Sequence, residues 1–139
     1  DGVGVLKQAG KETIWIPATA MTATASNGCS SLQTVETTSG RPDMNVLDFD
    51  KDADEFAQFS VAFPKSWNAG TVTFQFFWSG VAATTNVTLT LAGVAFADND
   101  SIDTAYFRIG RDVSEDNMAG DCRLHGIKLH FTTNAANDA

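Results

Sequence analysis

The stretch FAQFSVAFPKSWNAGTVTFQFFW, residues 56–78, decides the fold of this chain and holds more than half of its aromatic residues. Apolar side chains occupy alternate positions from 57 to 63 and again from 72 to 78. This alternation is typical of β-strands that bury one face. Between the two runs, Pro64 and the turn-forming residues 68–70 indicate a reversal of the chain. The sequence therefore predicts a β-hairpin whose inner face forms the centre of the core.

Shorter runs with similar alternation predict strands along the rest of the chain. They cover residues 13–16, 32–38, 44–49, 86–97, 106–111 and 122–132. No segment shows the period of an amphipathic helix. These features predict an all-β fold, namely an antiparallel, jelly-roll-like β-sandwich of about eight to ten strands. We interpret residues 1–10 as an N-terminal arm or linker and residues 11–139 as a single β-sandwich domain.

The charge balance of the 139-residue chain is acidic, with 9 Lys and Arg against 17 Asp and Glu and a net charge of −8. An acidic surface repels phosphate groups, so neither nucleic acid nor an anionic membrane is expected as a partner. No apolar run approaches the roughly 18 residues of a membrane span, so no membrane insertion is expected. The chain begins at Asp1 and shows no signal peptide, so we interpret it as a processed or partial piece of a longer protein.

The chain has two cysteines, Cys29 and Cys122, whose spacing fits no metal-binding motif. Residues that are far apart in sequence can meet in a β-sandwich, so the two could form a disulfide. They could equally be two buried thiols that behave as small apolar side chains. The sequence leaves both alternatives open.

Two acidic segments, residues 48–55 and 98–103, raise the question of a calcium site. The alternating acids of the first segment resemble the start of a calcium-binding loop. However, Ala53 stands where such a loop needs Gly, and Phe59 stands where it needs a bidentate Glu. Runs of charge usually belong to solvated loops. We therefore predict that both segments are solvated, with no metal site and no cofactor.

No catalytic motif is recognisable in the sequence. Ser79-Gly80 lacks the flanking glycines of the nucleophile elbow G-x-S-x-G. The two histidines, His125 and His130, lie five residues apart on a predicted strand and are expected to face opposite sides of it. A carboxylate pair for glycoside hydrolysis cannot be recognised from spacing, because its acids can come from any two strands. We expect no enzymatic activity, with a small glycan hydrolase as a remote alternative.

Three aromatic residues are candidates for contacts with a ligand or another subunit. Trp67 lies in the predicted hairpin turn, where an exposed indole could stack on a sugar; alternatively, it folds back over the edge of the core. Phe56 and Phe77 fall on the opposite phase from the core residues of their strands. Apolar groups on an outer sheet face are typical of a contact surface, so both are candidates for a subunit contact. The alternative is that a second layer of the same domain covers them.

Three stretches carry a resemblance to a known family: KETIWIPATAM (11–21), LDFDKDADEFAQFSVAFPKSWNAGTVTFQFFWS (47–79) and DCRLHGIKLHFTTNAANDA (121–139). The sequence resembles a family of virion structural proteins of tailed phages and prophages of alphaproteobacteria, in which these pieces occur in the same order. The identifying motifs are WIPA, PKSWN-x-GTVT and RLHG-x-KL, and none of them brings a catalytic residue. The chain departs from the commoner family pattern because it lacks a longer insertion between the strands ending near Ala97 and starting near Tyr106.

The resemblance implies a β-sandwich on the surface of a phage particle, assembled in the bacterial cytoplasm, with other virion proteins as partners. A fibre or spike head would attach to a host-surface glycan, whereas a capsid decoration protein would clamp its neighbours on the head. The absent insertion favours decoration slightly, and the linker-like residues 1–10 favour the fibre or spike, which is the expected role. Fibres and many decoration proteins are threefold objects, so the resemblance also implies a homotrimer.

Overall fold

The computed structural model describes residues 10–81, 85–96 and 104–134, with residues 94–96 described by their backbone alone. Nine strands and two single-turn 3₁₀ helices, Ala18–Ala20 and Val113–Glu115, form the regular structure of these residues. The strands are β1 (Gly10–Pro17), β2 (Thr22–Ala23), β3 (Gln33–Val35), β4 (Met44–Phe49), β5 (Glu55–Ala62), β6 (Thr73–Gly80), β7 (Leu89–Phe96), β8 (Thr104–Arg111) and β9 (Cys122–Thr133). The predicted all-β fold and its strand number are confirmed.

Two parts of the sequence interpretation lie wholly or mostly outside the described residues. They are the second acidic segment, residues 98–103, and the N-terminal arm, whose last residue, Gly10, is the first of β1. Within the described parts of the chain, no helix has the length and apolar character that crossing a membrane requires.

The strands form two antiparallel sheets that pack face to face as a β-sandwich. One sheet contains the four strands β2-β5-β8-β7 in that order, and the other contains the five strands β1, β3, β4, β6 and β9. The 12-residue β9 is central, because it pairs with β1, β4 and β6. The partners of β6 on β9 overlap those of both β1 and β4, so β6 occupies one edge of β9 while β1 and β4 share the other.

The core lies between the two sheets and is built by alternate residues of their strands. In β5, Ala57, Phe59 and Val61 are buried while Gln58 and Ser60 are exposed, as the alternation predicts. The largest fully buried apolar side chains of this core are Leu47, Phe49, Ile109, Leu124, Ile127 and Leu129. Both sheets therefore contribute to one continuous apolar layer, which supplies most of the drive for folding.

The predicted hairpin of residues 56–78 is wrong, although both of its strands exist. β5 pairs with β2 and β8, whereas β6 pairs with β9 in the other sheet. The segment between them crosses from one sheet to the other instead of reversing within one sheet. Local alternation identifies a strand and its buried face, but it does not identify the partner, because long-range packing selects the pairing.

The inner face of β6 is less buried than the alternation predicts. Phe74 and Trp78 pair with the buried Leu129 and Leu124 of β9 and so lie on the core side of the sheet. Even so, 45% of Phe74 and 38% of Trp78 are exposed. No described strand pairs with the second edge of β6, so its inner face has few neighbours. We call Phe74, Trp78 and the half-buried Phe76 the β6 aromatic stripe.

A bulge in β9 changes the predicted orientation of the histidines. Leu124 and Ile127 are both fully buried although they are three positions apart in one strand. The pairing register with β6 shifts at this point, which leaves one additional residue in β9. His125 and His130 therefore both lie on the outer face of the sheet. The prediction that they face opposite sides is wrong, because strict alternation does not anticipate a bulge.

Candidate functional site

A groove of about 600 Å³ lies on the outer face of the four-stranded sheet. In β5, the exposed Gln58 and Ser60 alternate with buried core residues and therefore point away from the core. The pairing register places Gln58 opposite Arg108 of β8 and Ser60 opposite Tyr106. β2 and β7 flank this pair of strands and complete the groove. The exposed residues that line it include Thr22, Gln58, Ser60, Ala92, Tyr106 and Arg108.

The side chains of the groove combine an aromatic ring with neutral polar groups. Tyr106 is the most exposed large apolar residue among those described, at 55%. Thr22 and Ser60 provide hydroxyls, and Gln58 provides an amide that both donates and accepts hydrogen bonds. A sugar ring has an apolar face that packs on an aromatic ring and a rim of hydroxyls that bonds to polar groups. The groove therefore carries groups that can contact the face of a sugar ring and its hydroxyls.

Phe56 fixes the one arginine of the groove. The guanidinium carbon of Arg108 lies 4.2 Å from the centre of the Phe56 ring, which is a cation–π contact. Phe56 pairs with Gly110 on the outer face, and a Cβ atom on that glycine would lie only 2.6 Å from the Phe56 ring. The outward orientation of Phe56 is therefore explained within the domain, because its ring covers Gly110 and positions Arg108. Its role as a subunit contact stays a prediction.

Phe77 has an equivalent place on the outer face of the five-stranded sheet. It pairs with Gly126 of β9, and its ring meets that of Trp15 edge to face at 5.2 Å between centres. A Cβ atom on Gly126 would lie 2.4 Å from the Trp15 ring. Lys128 lies over the Phe77 ring at 5.5 Å from its centre. Phe77 is therefore half-buried by neighbours of its own sheet, and a subunit contact at this residue also stays a prediction.

Trp67, the candidate for sugar stacking from the sequence, packs against the core. Its ring stacks on Phe63 with 4.6 Å between ring centres, and its backbone forms an isolated bridge with Thr133. Its Nε1 atom is buried and has no hydrogen-bond partner among the described residues. The position corresponds to the alternative in which the indole folds back over the edge of the core. Phe63 covers one face of the Trp67 ring, and Tyr106 is the more exposed of these two aromatic residues, at 55%.

The two cysteines are free thiols, and both are buried. Cys122 begins β9, and Cys29 lies between β2 and β3, where its amide donates to the carbonyl oxygen of Phe56. Burial raises the pKa of Cys29 to about 11 and that of Cys122 to about 12. Such thiols are neutral at pH 7 and weakly nucleophilic. The structure therefore agrees with the alternative in which the two cysteines are buried thiols that behave as small apolar side chains, with no disulfide between them.

The carboxylates of the first acidic segment bond to neighbouring protein groups. Asp48 lies in β4 and is 9% exposed, and its two oxygens accept from Arg123 at 3.0 and 3.1 Å. Asp54 accepts from the backbone amide of Val113 at 2.9 Å, which ties the segment to the turn after β8. Within the residues that the structure describes, no group of three or more His, Cys, Asp or Glu side chains is placed to hold a metal ion.

A buried arginine lies at one end of the sandwich, and no pattern in the sequence indicates that it is buried. Arg111, the last residue of β8, is 1% exposed. Its Nε and Nη2 atoms donate to the carboxylate of Asp116 at 2.8 and 3.1 Å. Nη1 donates to the carbonyl oxygens of Phe49 and Gly120, and Nη2 also donates to that of Met118. All the donors of the guanidinium are therefore satisfied.

The pair formed by Arg111 and Asp116 is shielded from solvent, with side-chain exposures of 0% and 3%. The hydrogen bonds from Arg111 hold the pKa of Asp116 below its ordinary value of 3.8, against the opposing effect of burial. Asp116 also accepts from the amide of Met118 at 3.3 Å. The arginine therefore fixes the loop after β8 to β4 by charge and by hydrogen bonds. We assign the cluster to stability, since its polar atoms bind one another and it lies outside the groove.

His125 is a structural group at the bulge. Its Nε2 atom lies 2.9 Å from Ser79 Oγ of β6. Burial, together with the nearby charge of Arg123, lowers the pKa of His125 below 6.5. The imidazole is therefore neutral at pH 7. His130 lies five residues further along β9, roughly 16 Å away on an extended strand, so the two do not form a joint site.

Comparisons with known proteins give no relative from which a function could be transferred. No protein-family model matches the chain, and neither a curated protein nor a solved structure matches it. The structure itself therefore defines the class: an antiparallel two-sheet β-sandwich with an aromatic and polar groove on one outer face.

Proposed function

We propose that the protein is a phage virion structural protein displayed on the particle surface, where it forms the head domain of a fibre or spike that binds a host-surface glycan. The resemblance in sequence supports the virion role. The groove supports glycan binding, and the exposed Tyr106 ring beside the polar Gln58 and Ser60 is the observation that carries it. The volume of about 600 Å³ falls within the roughly 300–1,000 Å³ of ligand sites.

Binding without hydrolysis is the proposed mode of action. Glycoside hydrolysis normally requires two carboxyl groups on either side of the scissile bond. Among the described residues that line the groove, none is Asp or Glu. This composition supports a protein that holds a glycan and leaves it intact, and it does not favour the remote alternative of a small glycan hydrolase.

An array of bacterial surface oligosaccharides tests the proposal. We expect binding by the wild type and loss of at least about ten-fold in affinity for Tyr106→Ala, because the stacking surface is removed. Trp15→Ala is the matched control, since Trp15 is 47% exposed but lies on the other sheet, and it should bind as the wild type does. Binding that survives Tyr106→Ala and disappears with Trp15→Ala would place the glycan elsewhere and contradict the proposal.

Capsid decoration is the second candidate function, and the β6 aromatic stripe favours it. β6 contains no charged residue and no proline, and these are the usual protections of an exposed edge strand. An uncharged aromatic edge fits coverage by another protein chain, such as a neighbour on the capsid. Electron microscopy of intact particles with a bound antibody against this chain distinguishes the two functions by showing label on the head or on the tail.

The proposed homotrimer would use the same surface. In a chain with a net charge of −8, copies meet most readily where they carry no charge, and the β6 aromatic stripe is such a place. Light scattering should give three times the 14.8 kDa of one chain. Phe74→Lys should lower that mass, because a buried unpaired cation is costly at an interface. A wild-type mass of one chain at every concentration would contradict the trimer.

A further inference from the structure

The local charge of the groove is opposite to that of the protein as a whole. The chain carries 17 acidic and 9 basic residues. The described residues that line the groove include one arginine, Arg108, and no acid. Because Arg108 is the one charged side chain among these described residues, the part of the groove that they form is locally positive on an acidic protein. A ligand with a negative charge would therefore be attracted to the groove and repelled by much of the remaining surface.

The guanidinium of Arg108 is held in position but keeps its hydrogen-bond donors. The Phe56 ring contacts it at 4.2 Å, and Phe56 is itself seated against Gly110. Stacking uses the flat face of a guanidinium, whereas the N–H groups lie in its plane. In the described parts of the chain, Arg111 and Arg123 each bind a carboxylate, but Arg108 forms no salt bridge. Arg108 thus offers two parallel donors to a carboxylate that comes from outside the protein.

The positions of Arg108 and Tyr106 suit one extended ligand. The two residues are two positions apart on the outer face of β8, or roughly 7 Å. On the neighbouring strand β5, Gln58 pairs with Arg108 and Ser60 pairs with Tyr106, so each of the two has a neutral hydrogen-bonding group beside it. On the other side, Ala92 pairs with Arg108 and leaves the groove open beside the guanidinium. An aromatic ring and a guanidinium at this spacing can contact the same sugar unit or two adjacent units.

We propose that the groove binds an acidic saccharide, and that Arg108 pairs with the sugar carboxylate while Tyr106 stacks on a sugar ring. The inference rests on the proposed glycan binding and specifies its ligand class. Binding should weaken with added salt, because it includes a charge pair at an exposed site. Phe56 acts as a positioning residue that keeps the guanidinium in the orientation needed by the carboxylate.

The test compares acidic oligosaccharides with their own methyl esters. Calorimetry measures the affinity of the folded protein for uronate-containing and sialate-containing oligomers, each paired with the ester in which the carboxylate charge is removed and the sugar is unchanged. We expect the acid to bind about ten- to a hundred-fold more tightly than its ester, the effect of a charged bidentate hydrogen bond. The difference should shrink as salt is raised.

Two charge variants identify the residue responsible. The Arg108→Gln variant should bind the acid and the ester with the same affinity, which should equal the affinity of the wild type for the ester. Lys128→Gln is the matched control, because it also removes one positive charge stacked on a phenylalanine, but on the other sheet. It should keep the preference for the acid. If both variants lose the preference equally, net charge and not Arg108 is responsible, and the proposal is overturned.

The remaining outcomes separate this inference from the proposed function. Equal wild-type affinity for acids and esters, with loss in Tyr106→Ala, overturns the acidic ligand and leaves glycan binding in place. No measurable binding to any oligosaccharide overturns both. Circular dichroism of each variant establishes that it is folded, and this is expected since Tyr106 and Arg108 are exposed and lie outside the core.

Discussion

Replacement of Arg111 by Met is the sharpest test of how the sandwich is held together. Met is similar in length to the arginine stem and fills most of its space, but it has no donor. The change leaves the carboxylate of Asp116 buried without its cation. It also removes the donor from the carbonyl oxygens of Phe49, Met118 and Gly120. The variant therefore loses hydrogen bonds and gains an uncompensated buried charge.

The expected cost is about 3–5 kcal/mol, the usual effect of removing one partner of a buried ion pair. For 139 residues, the entropy of unfolding is about 0.3 kcal/mol/K near the midpoint. The melting temperature should therefore fall by roughly 10–17 °C. Arg123→Met is the matched control, because its pair with Asp48 is more exposed, at 17% and 11% for the two side chains. We expect the control to lose about 1–2 kcal/mol.

Urea unfolding of Arg111→Met at pH 7 and at pH 4.5 provides the assay. In the variant, burial without the arginine raises the pKa of Asp116, so acid protonates it and relieves the buried charge. In the wild type, Asp116 has a lowered pKa, so its contribution is complete above 3.8 and is lost as the pH falls through the lowered value. The gap in stability should therefore narrow at pH 4.5. A loss no larger than that of Arg123→Met, or a gap that does not change with pH, would refute the reasoning.

Three further predictions concern the burial of individual side chains. Phe59→Ala should cost roughly 3–5 kcal/mol because Phe59 is 5% exposed, whereas Phe74→Ala should cost well under half as much because Phe74 is 45% exposed. Urea midpoints of the two variants check this, and equal losses would contradict the assigned exposure. Because the pKa of His125 is lowered in the folded protein, the unfolded chain binds a proton more readily, and the free energy of unfolding should fall as the pH drops below 6.5. His125→Asn should weaken this dependence of stability on pH between pH 7 and 5. An unchanged dependence would assign it to another group. The raised thiol pKa values of Cys29 and Cys122 mean that the free energy of unfolding should fall as the pH rises above 9.0. A thiol assay on the unfolded, unreduced chain should find two reactive thiols. A count of zero thiols would show that a disulfide forms.

The strands could be predicted from sequence because burial of one face imposes a local period. The buried set of β5 follows from the alternation at residues 57–63. The pairing of β5 and β6 could not be predicted in the same way. The turn-forming residues between them are compatible with a reversal within one sheet and with a crossing between two sheets. The choice depends on β9, which lies more than 40 residues further along the chain and binds β6.

The groove and the arginine cluster were harder to predict than the strands. The outward orientation of Arg108 follows from its place between Phe107 and Ile109. Its neighbours in the groove come from other strands, so their proximity is a property of sheet order that the sequence does not display. The burial of Arg111 could not be predicted for another reason. A charged residue at a strand end is normally exposed, and Arg111 is enclosed only because of the three-dimensional course of the next loop.

The glycines beneath the aromatic rings have a consequence for how related chains should diverge. Gly126 cannot accept a side chain while the Trp15 ring lies 2.4 Å from its Cβ position, and the Trp15 ring in turn meets Phe77. These three positions come from β1, β6 and β9, so a change at one of them alters what the other two can hold. The backbone carbonyl oxygen of Ile16 also lies 2.7 Å from that Cβ position, and a smaller residue at 15 would leave this contact in place. In a set of divergent relatives, glycine should therefore persist at 126 even where residues 15 and 77 change. A glycine retained at this position of β9 would be a marker for recognising distant members when the rest of the sequence has drifted.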